Sequence, residues 1–262
     1  MKEKIYTPLQ LREVFHLEFL RWFGRRIKPE HYALKGGVNM RFFFSSFRYS
    51  EDIDLDIHSV EVGVLRDEVM KILQSVSFQE ELKPFGIERV IPPAIAKAKQ
   101  TETTQRFKIH LITPADEDLF TKIEFSRRES KGNIVVQPVS TLIMRLYKLS
   151  PLVVSHYDIQ SAIIQKIEAL SDRVIIQARD IFDLYILASQ YNPVKKERIK
   201  INESTFEKAY KNVFEVSFEQ FSDTVVSYLS AEEQSIYNLP SLWDEIKLKV
   251  ANFIEEIKKT YA

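Results

Sequence analysis

Three aspartates, Asp52, Asp54 and Asp56, alternate with Ile53, Leu55 and Ile57 in the run DIDLDI. In an extended chain successive side chains point to opposite faces, so the carboxylates share one face and the aliphatic residues the other. Acids in a row repel one another, and water or a cation must offset them. Magnesium suits such a set, because it takes hard oxygen ligands and keeps positions open for substrate phosphates. Upstream stand Lys35, Gly36 and Gly37. A glycine pair lets a backbone approach where no side chain would fit, as phosphate-cradling turns require. Between the two halves lie Arg48 and Ser50, in the spacing Arg-x-Ser-x-Asp-Ile-Asp-Leu. A glycine pair alone is an ordinary turn, and an Asp-x-Asp alternation alone is an ordinary solvated strand face. Their conjunction describes a site for a metal-bound triphosphate.

Two further groups could join that chemistry. The segment LFTKIEF alternates again and sets Lys122 and Glu124 on one face, which makes Glu124 a candidate third carboxylate. The competing reading is an exposed strand acid paired with a neighbouring lysine. Further on, Lys166 precedes Leu170 on one helical stretch, and Arg179, Asp180 and Asp183 lie on the next. Residues three apart on a helix are neighbours, so Asp180 and Asp183 lie side by side. A solvated helix face offset by Arg179 would look the same.

The stretch from Leu34 to Ile57 resembles the GG-x(n)-R-x-S-x-D-I-D-L signature of the AbiEii/AbiGii toxin family of nucleotidyltransferases, within the polymerase-beta-like superfamily. Lys166, Glu168-Ala169-Leu170, Arg179, Asp180, Asp183 and Leu184 are similar to that family's second signature, K-x-x-A-L followed by R-D-x-x-D-L. The matching spans are islands between Leu34 and Leu187. The resemblance implies an α+β fold: a polymerase-beta-like core of mixed sheet and flanking helices, then a carboxy-terminal helical region. It implies that Asp52 and Asp54 hold magnesium in a two-metal arrangement, with Glu124, followed by an Arg128-Glu129 pair, as third ligand. Lys35, Gly36 and Gly37 would form the phosphate turn. Arg48 and Ser50 would contact phosphate or fix the acidic strand, and Ser50 would be a point at which an antitoxin could modify the enzyme. Lys166 would neutralise phosphate charge, with Asp180 or Asp183 orienting it or acting as a base. Asp56 is a lesser candidate. The implied activity is transfer of a nucleotide from a nucleoside triphosphate to an acceptor, with the tRNA 3′ end expected, by the toxin of a toxin–antitoxin or phage-defence (abortive infection) system. The alternatives are a transferase acting on a protein or small molecule, and a catalytically idle nucleotide- or RNA-binding module.

The elements that must position these residues follow from periodicity. Apolar residues from Leu9 to Phe23 recur at helical spacing after Thr7-Pro8, and Gly24 ends the run. Tyr32 to Leu34 reads as extended, Val38 to Phe44 as helix, Asp52 to Ile57 as strand and Gly63 to Ser75 as helix. Phe85 to Val90, Arg106 to Ile112 and Leu119 to Phe125 read as strands. After Pro138 the pattern turns helical, at Ser140 to Leu149, Tyr157 to Leu170, Val174 to Gln190, Glu203 to Val213, Phe218 to Leu229 and Trp243 to Tyr261. The expected organisation is a core over residues 1–138 and a helical domain over 139–262, the latter contributing the lysine and the R-D-x-x-D motif.

Composition limits the rest. The 262 residues are 45% hydrophobic and 28% charged, as in globular proteins. Lysine plus arginine equals aspartate plus glutamate at 37 each, which argues against non-specific coating of nucleic acid. Local basic groups remain, Arg21, Arg25, Arg26 and Lys28 in one place and Arg127, Arg128 and Lys131 in another. An RNA acceptor would need something of this kind. The absence of cysteine excludes disulfides and thiolate metal sites and fits a reducing cytoplasm. No apolar run is long enough to cross a bilayer, so the expectation is a cytoplasmic protein without membrane contact.

Overall fold

A computed structural model describes residues 6–127, 132–192 and 201–261. The expected Arg128-Glu129 pair and the basic residues Arg128 and Lys131 lie outside the described residues. The chain forms two compact units, the described residues of Met1–Phe43 with Tyr49–Tyr157, and those of Phe44–Arg48 with Asp158–Ala262.

The first unit begins with α1 (Pro8–Gly24), whose start is fixed by a capping box between Thr7 and Gln10. There follow β1 (Tyr32–Lys35), α2 (Gly36–Phe43), β2 (Asp52–Ile57), α3 (Val62–Leu73), α4 (Val76–Leu82), β3 (Arg89–Ile91), β4 (Thr104–Ile112), β5 (Asp118–Ser126), β6 (Ile134–Pro138), α5 (Thr141–Leu146) and β7 (Val153–Tyr157). Among the described residues these strands make one seven-stranded mixed sheet in the order β3-β4-β5-β2-β1-β7-β6. At its centre β2 runs antiparallel to β1 and parallel to β5, while β1 runs parallel to β7.

Register explains the core. Leu34 lies opposite Leu55, Ile53 beside Ile123 and Leu55 beside Phe125, so one face of the sheet is apolar and fully buried. α1 covers it with Phe15, Phe19 and Phe23. The ring of Phe23 meets Tyr32 and Phe125 at centroid distances of 5.1 and 5.4 Å. Each such side chain contributes about 1.5–3 kcal/mol by leaving water. A register slip of one residue would exchange this face for the charged one, so burial fixes which way the acids of β2 point.

The second unit contains α6 (Ile159–Asp172), α7 (Ala178–Ala188), α8 (Glu203–Val213), α9 (Phe218–Thr224), α10 (Ala231–Tyr237) and α11 (Pro240–Tyr261). Trp243 stacks on Phe221 at 4.2 Å and donates its indole N–H to the Val216 carbonyl, which satisfies the polar atom of a buried ring. The segment Phe44–Arg48 belongs here because Phe47 packs on Phe182 and Tyr237, at 5.4 and 5.1 Å, and Gln190 donates to the Phe44 carbonyl at 2.7 Å.

Several expectations shift. Strands do not end at Pro138, since β7 lies beyond it and the division into compact units falls at Tyr157. The run VVSHY gains its strand identity by pairing with β1, more than a hundred residues earlier, and no local period reveals such a partner. β6, unanticipated, pairs with β7. The expected strand Phe85 to Val90 begins only at Arg89, because Lys83–Phe85 form a 3-10 turn closed by Gly86 at φ 98°. The expected helix from Val174 starts at Ala178, with Val174 and Ile175 exposed before it. α4 and α10 were not foreseen, and the expected Phe218–Leu229 helix stops at Thr224.

Candidate active site

The sequence-predicted residues fall into two groups, one in each unit. In the sheet unit Asp52 and Asp54 project from β2 on the face opposite the apolar core. Parallel pairing sets Lys122 beside Asp52 and Glu124 beside Asp54, and antiparallel pairing sets Lys35 opposite Asp54 and Arg106 opposite Glu124. The Lys122 ammonium lies 3.2 Å from an Asp52 oxygen and 3.5 Å from a Glu124 oxygen. Arg106 Nε donates to Glu124 at 2.6 Å. Asp56, on the same face, accepts from Lys35 and from the Tyr157 hydroxyl.

Gly36 begins α2 at φ 67°, in the left-handed region that favours glycine. A Cβ placed there would stand 2.8 Å from Asp54 Oδ2, so the missing side chain is what admits the carboxylate. Gly37 has no such φ and sits within the first turn of α2. Ser50 Oγ donates to the Asp52 carbonyl at 3.0 Å, tying down the start of β2.

In the helical unit Lys166 on α6 extends its ammonium to Asp180 at 2.8 Å and Asp183 at 2.6 Å, both on α7. Arg48 reaches Asp183 at 3.2 Å, and Arg173 reaches Asp180 at the same distance. Asp180 and Asp183 are 1% and 0% exposed, which rules out a solvated helix face as the reason for their pairing. Burial acts to raise the Asp183 pKa, yet Arg48 and Lys166 outweigh it and hold the carboxyl below its ordinary value. Burial likewise acts to lower the Lys166 pKa, and the two carboxylates reverse that direction. Buried charges of this kind persist only when paired, and the Asp180 oxygen facing Arg173 has that ion pair but no hydrogen bond.

A family model described as "Nucleotidyl transferase AbiEii toxin, Type IV TA system" matches residues 19–255. The chain belongs to the AbiEii family. It is a nucleotidyltransferase, the toxin of a type IV toxin–antitoxin system. Several solved structures share its fold, two of them as follows. JHP933 from Helicobacter pylori is 18% identical, with a TM-score of 0.61 over 98% of this chain and 94% of that one. MenT4, a nucleotidyltransferase toxin from Mycobacterium tuberculosis H37Rv, is 15% identical, with a TM-score of 0.59 over 97% and 88%. No curated protein matches the sequence.

The AbiEii sheet face can be tested for a divalent cation. Asp52, Asp54, Asp56 and Glu124 face Lys35, Lys122 and Arg106, leaving carboxylate charge in excess of these cations. The Asp54 pKa is raised, first by burial, and Lys122 and Lys35 do not fully offset that cost. Among the described residues no three His, Asp or Glu side chains form a ready metal cage. Glu124 therefore does not complete a three-carboxylate set with Asp52 and Asp54 here, and a magnesium ion, which commonly takes one or two carboxylates and completes its shell with water and substrate phosphate, would rest on those two aspartates. Hard oxygens with uncompensated charge therefore fit the ion. Burial acts to raise the Glu124 pKa, and the hydrogen bonds and charges of Arg106 and Lys122 together bring it below its ordinary value.

Sequence reasoning missed the supports. His16 on α1, 1% exposed, meets Thr121 Oγ1 at 3.0 Å, and Thr121 donates to the Glu51 carbonyl at 2.6 Å, immediately before Asp52. Burial, helped by Arg12, lowers the His16 pKa to about 3, so its ring is neutral, and because Thr121 gives its one hydroxyl proton to Glu51 the His16 Nε2 is the donor. A lone histidine in an apolar helix gave no signal. Of the first basic cluster, Arg26 is paired with Glu68, and Arg21 binds Glu18 and the carbonyls of Ser150 and Pro151. These two are bound within their own unit.

No helix among the described residues is long and apolar enough to cross a membrane.

Proposed function

We propose that the protein transfers a nucleoside monophosphate from a nucleoside triphosphate to the 3′ end of tRNA in a magnesium-dependent reaction, in the cytoplasm and under the control of a cognate antitoxin. The observation that carries this reading is the seating of Asp54 against the left-handed Gly36, with Asp52 and Lys122 alongside. Asp52 and Asp54 would hold magnesium, which supplies charge neutralisation at the triphosphate and favours the ionised form of the attacking hydroxyl. The acceptor oxygen forms a bond to the α-phosphorus, the bond to pyrophosphate breaks, and the hydroxyl proton leaves to solvent or a carboxylate.

The chain's own residues prepare that step. The first backbone N–H groups of α2 and the Lys35 ammonium favour phosphate oxygens. Gly36 keeps the turn free of a side chain that would displace Asp54. Glu124, held by Arg106, balances Lys122 and so leaves Asp54 less strongly neutralised. In the helical unit Asp180 and Asp183 orient Lys166, and the depressed pKa of Asp183 speaks against its use as a base. Ser50, bound to the Asp52 carbonyl, is where a modification would add charge next to the acidic strand.

The test is incubation of purified protein with magnesium, total tRNA and each labelled nucleoside triphosphate in turn, with Asp54→Ala and a chelator as controls. Label on tRNA with the intact protein alone supports the reading. Label on protein or a small molecule would change the acceptor, and triphosphate binding without transfer would leave a regulatory binding module.

A further inference from the structure

The third aspartate of β2 has no part in that chemistry, and its surroundings assign it another. Asp56 is 4% exposed, with both carboxylate oxygens engaged. Oδ2 accepts the hydroxyl of Tyr157 at 2.6 Å, and Oδ1 accepts the Lys35 ammonium. A carboxylate committed in this way is a poor metal ligand. The three residues come from adjacent strands. Leu34 pairs with His156, so Tyr157 follows alongside Lys35 on one face, and Ala33, whose side chain is a single methyl, lies opposite Asp56. Lys35 faces Asp54 directly across the ladder, yet its ammonium is bound to the diagonal neighbour. The lysine side chain remains 28% exposed, while that of Asp56 is buried and Tyr157 is wholly buried. An anchored but reachable cation therefore stands immediately before Gly36.

We propose that Asp56 and Tyr157 are positioning residues that hold the Lys35 ammonium where it meets the phosphates of the nucleoside triphosphate. This rests on the nucleotidyl-transfer reading of the same sheet face. A lysine side chain has several rotatable bonds, and fixing it before the substrate arrives removes an ordering cost from binding. The hydrogen bond from a phenol to a carboxylate is charge-assisted, strong enough to lock the anchor itself. The triad thus acts on nucleotide affinity more than on the chemical step.

The experiment uses the full chain and reads magnesium–nucleotide affinity by calorimetry with ATP, CTP, GTP and UTP, together with KM and kcat for transfer, in the wild type, Tyr157→Phe, Lys35→Met, the Tyr157→Phe/Lys35→Met double variant and Asp56→Asn. Tyr157→Phe changes no charge, so it isolates the anchor. Its nucleotide KM should rise about five-fold with kcat nearly unchanged, and Lys35→Met should raise KM at least ten-fold. The double variant should match Lys35→Met, because without the ammonium there is nothing left to position. Asp56→Asn should leave the magnesium concentration for half-maximal activity unchanged. An additive effect of Tyr157→Phe on Lys35→Met, an unchanged KM in Tyr157→Phe, or a raised magnesium requirement in Asp56→Asn would each overturn the proposal. A wild type that binds none of the four nucleotides would instead defeat the transfer reading on which it rests.

Discussion

Gly36→Ala separates two penalties that a single glycine avoids. The residue sits at φ 67°, where an L side chain costs about 1–2 kcal/mol. Its new Cβ would also stand 2.8 Å from Asp54 Oδ2, against an ordinary carbon contact of about 3.5–4.0 Å. Oδ2 is the end of a side chain that can swing away, so the collision falls mainly on the site and the strain mainly on the fold. For a chain of this size the strain should lower Tm by roughly 2–8 °C. Displacing the carboxylate by even 1 Å should lower transfer by about 100-fold. Gly36→Asn distinguishes the two, since asparagine tolerates left-handed backbone and still carries a Cβ. Tm should recover towards wild type in the asparagine variant while transfer stays lost, as read by thermal melts beside labelled-nucleotide incorporation. Gly36→Ala at full activity, or Gly36→Asn regaining activity together with Tm, would show that the glycine is not what makes room for the Asp54 carboxylate.

Other expectations concern buried charge. His16 ionises at about 6.5 unfolded and about 3 in the native state, so the unfolded chain binds the extra proton first and stability falls as pH drops through that window. At about 1.4 kcal/mol per pH unit this is roughly 2 kcal/mol between pH 6.5 and 5, and His16→Gln should flatten it in urea titrations at the two pH values. Asp183 is the acid counterpart: its folded pKa lies below 3.8, so its contribution is full above that value and is lost as pH falls below it. Asp183→Asn should cost about 3–5 kcal/mol at pH 7, because Lys166 and Arg48 lose a buried partner, and it should weaken the acid dependence of Tm below pH 4. Ser50→Ala should cost about 0.5–1.5 kcal/mol by urea denaturation, through the lost hydrogen bond to the Asp52 carbonyl.

What the sequence disclosed and what it hid divide along one physical line. The alternation of DIDLDI needed no partner strand to be read, since burial of Ile53, Leu55 and Ile57 forces the acids outward whatever lies beside them. The glycine pair was legible as a place of close backbone approach, but the group that Gly36 makes room for, the Asp54 carboxylate, was not. Nor were the supports, because they depend on register between distant strands. Nothing near Asp56 announces that Tyr157, far along the chain, will take one of its oxygens. Arg48 is the sharpest case. The spacing Arg-x-Ser-x-Asp reads as one local motif, yet Ser50 binds the strand it precedes while Arg48 is buried against Asp183 in the other compact unit. Phe47 is the cause, since an aromatic ring so close to a charged strand is costly in water and packs instead on Phe182 and Tyr237. A signature that looks like one binding loop is therefore two anchors of opposite destination. Substituting Arg48 and substituting Ser50 should perturb different parts of the protein.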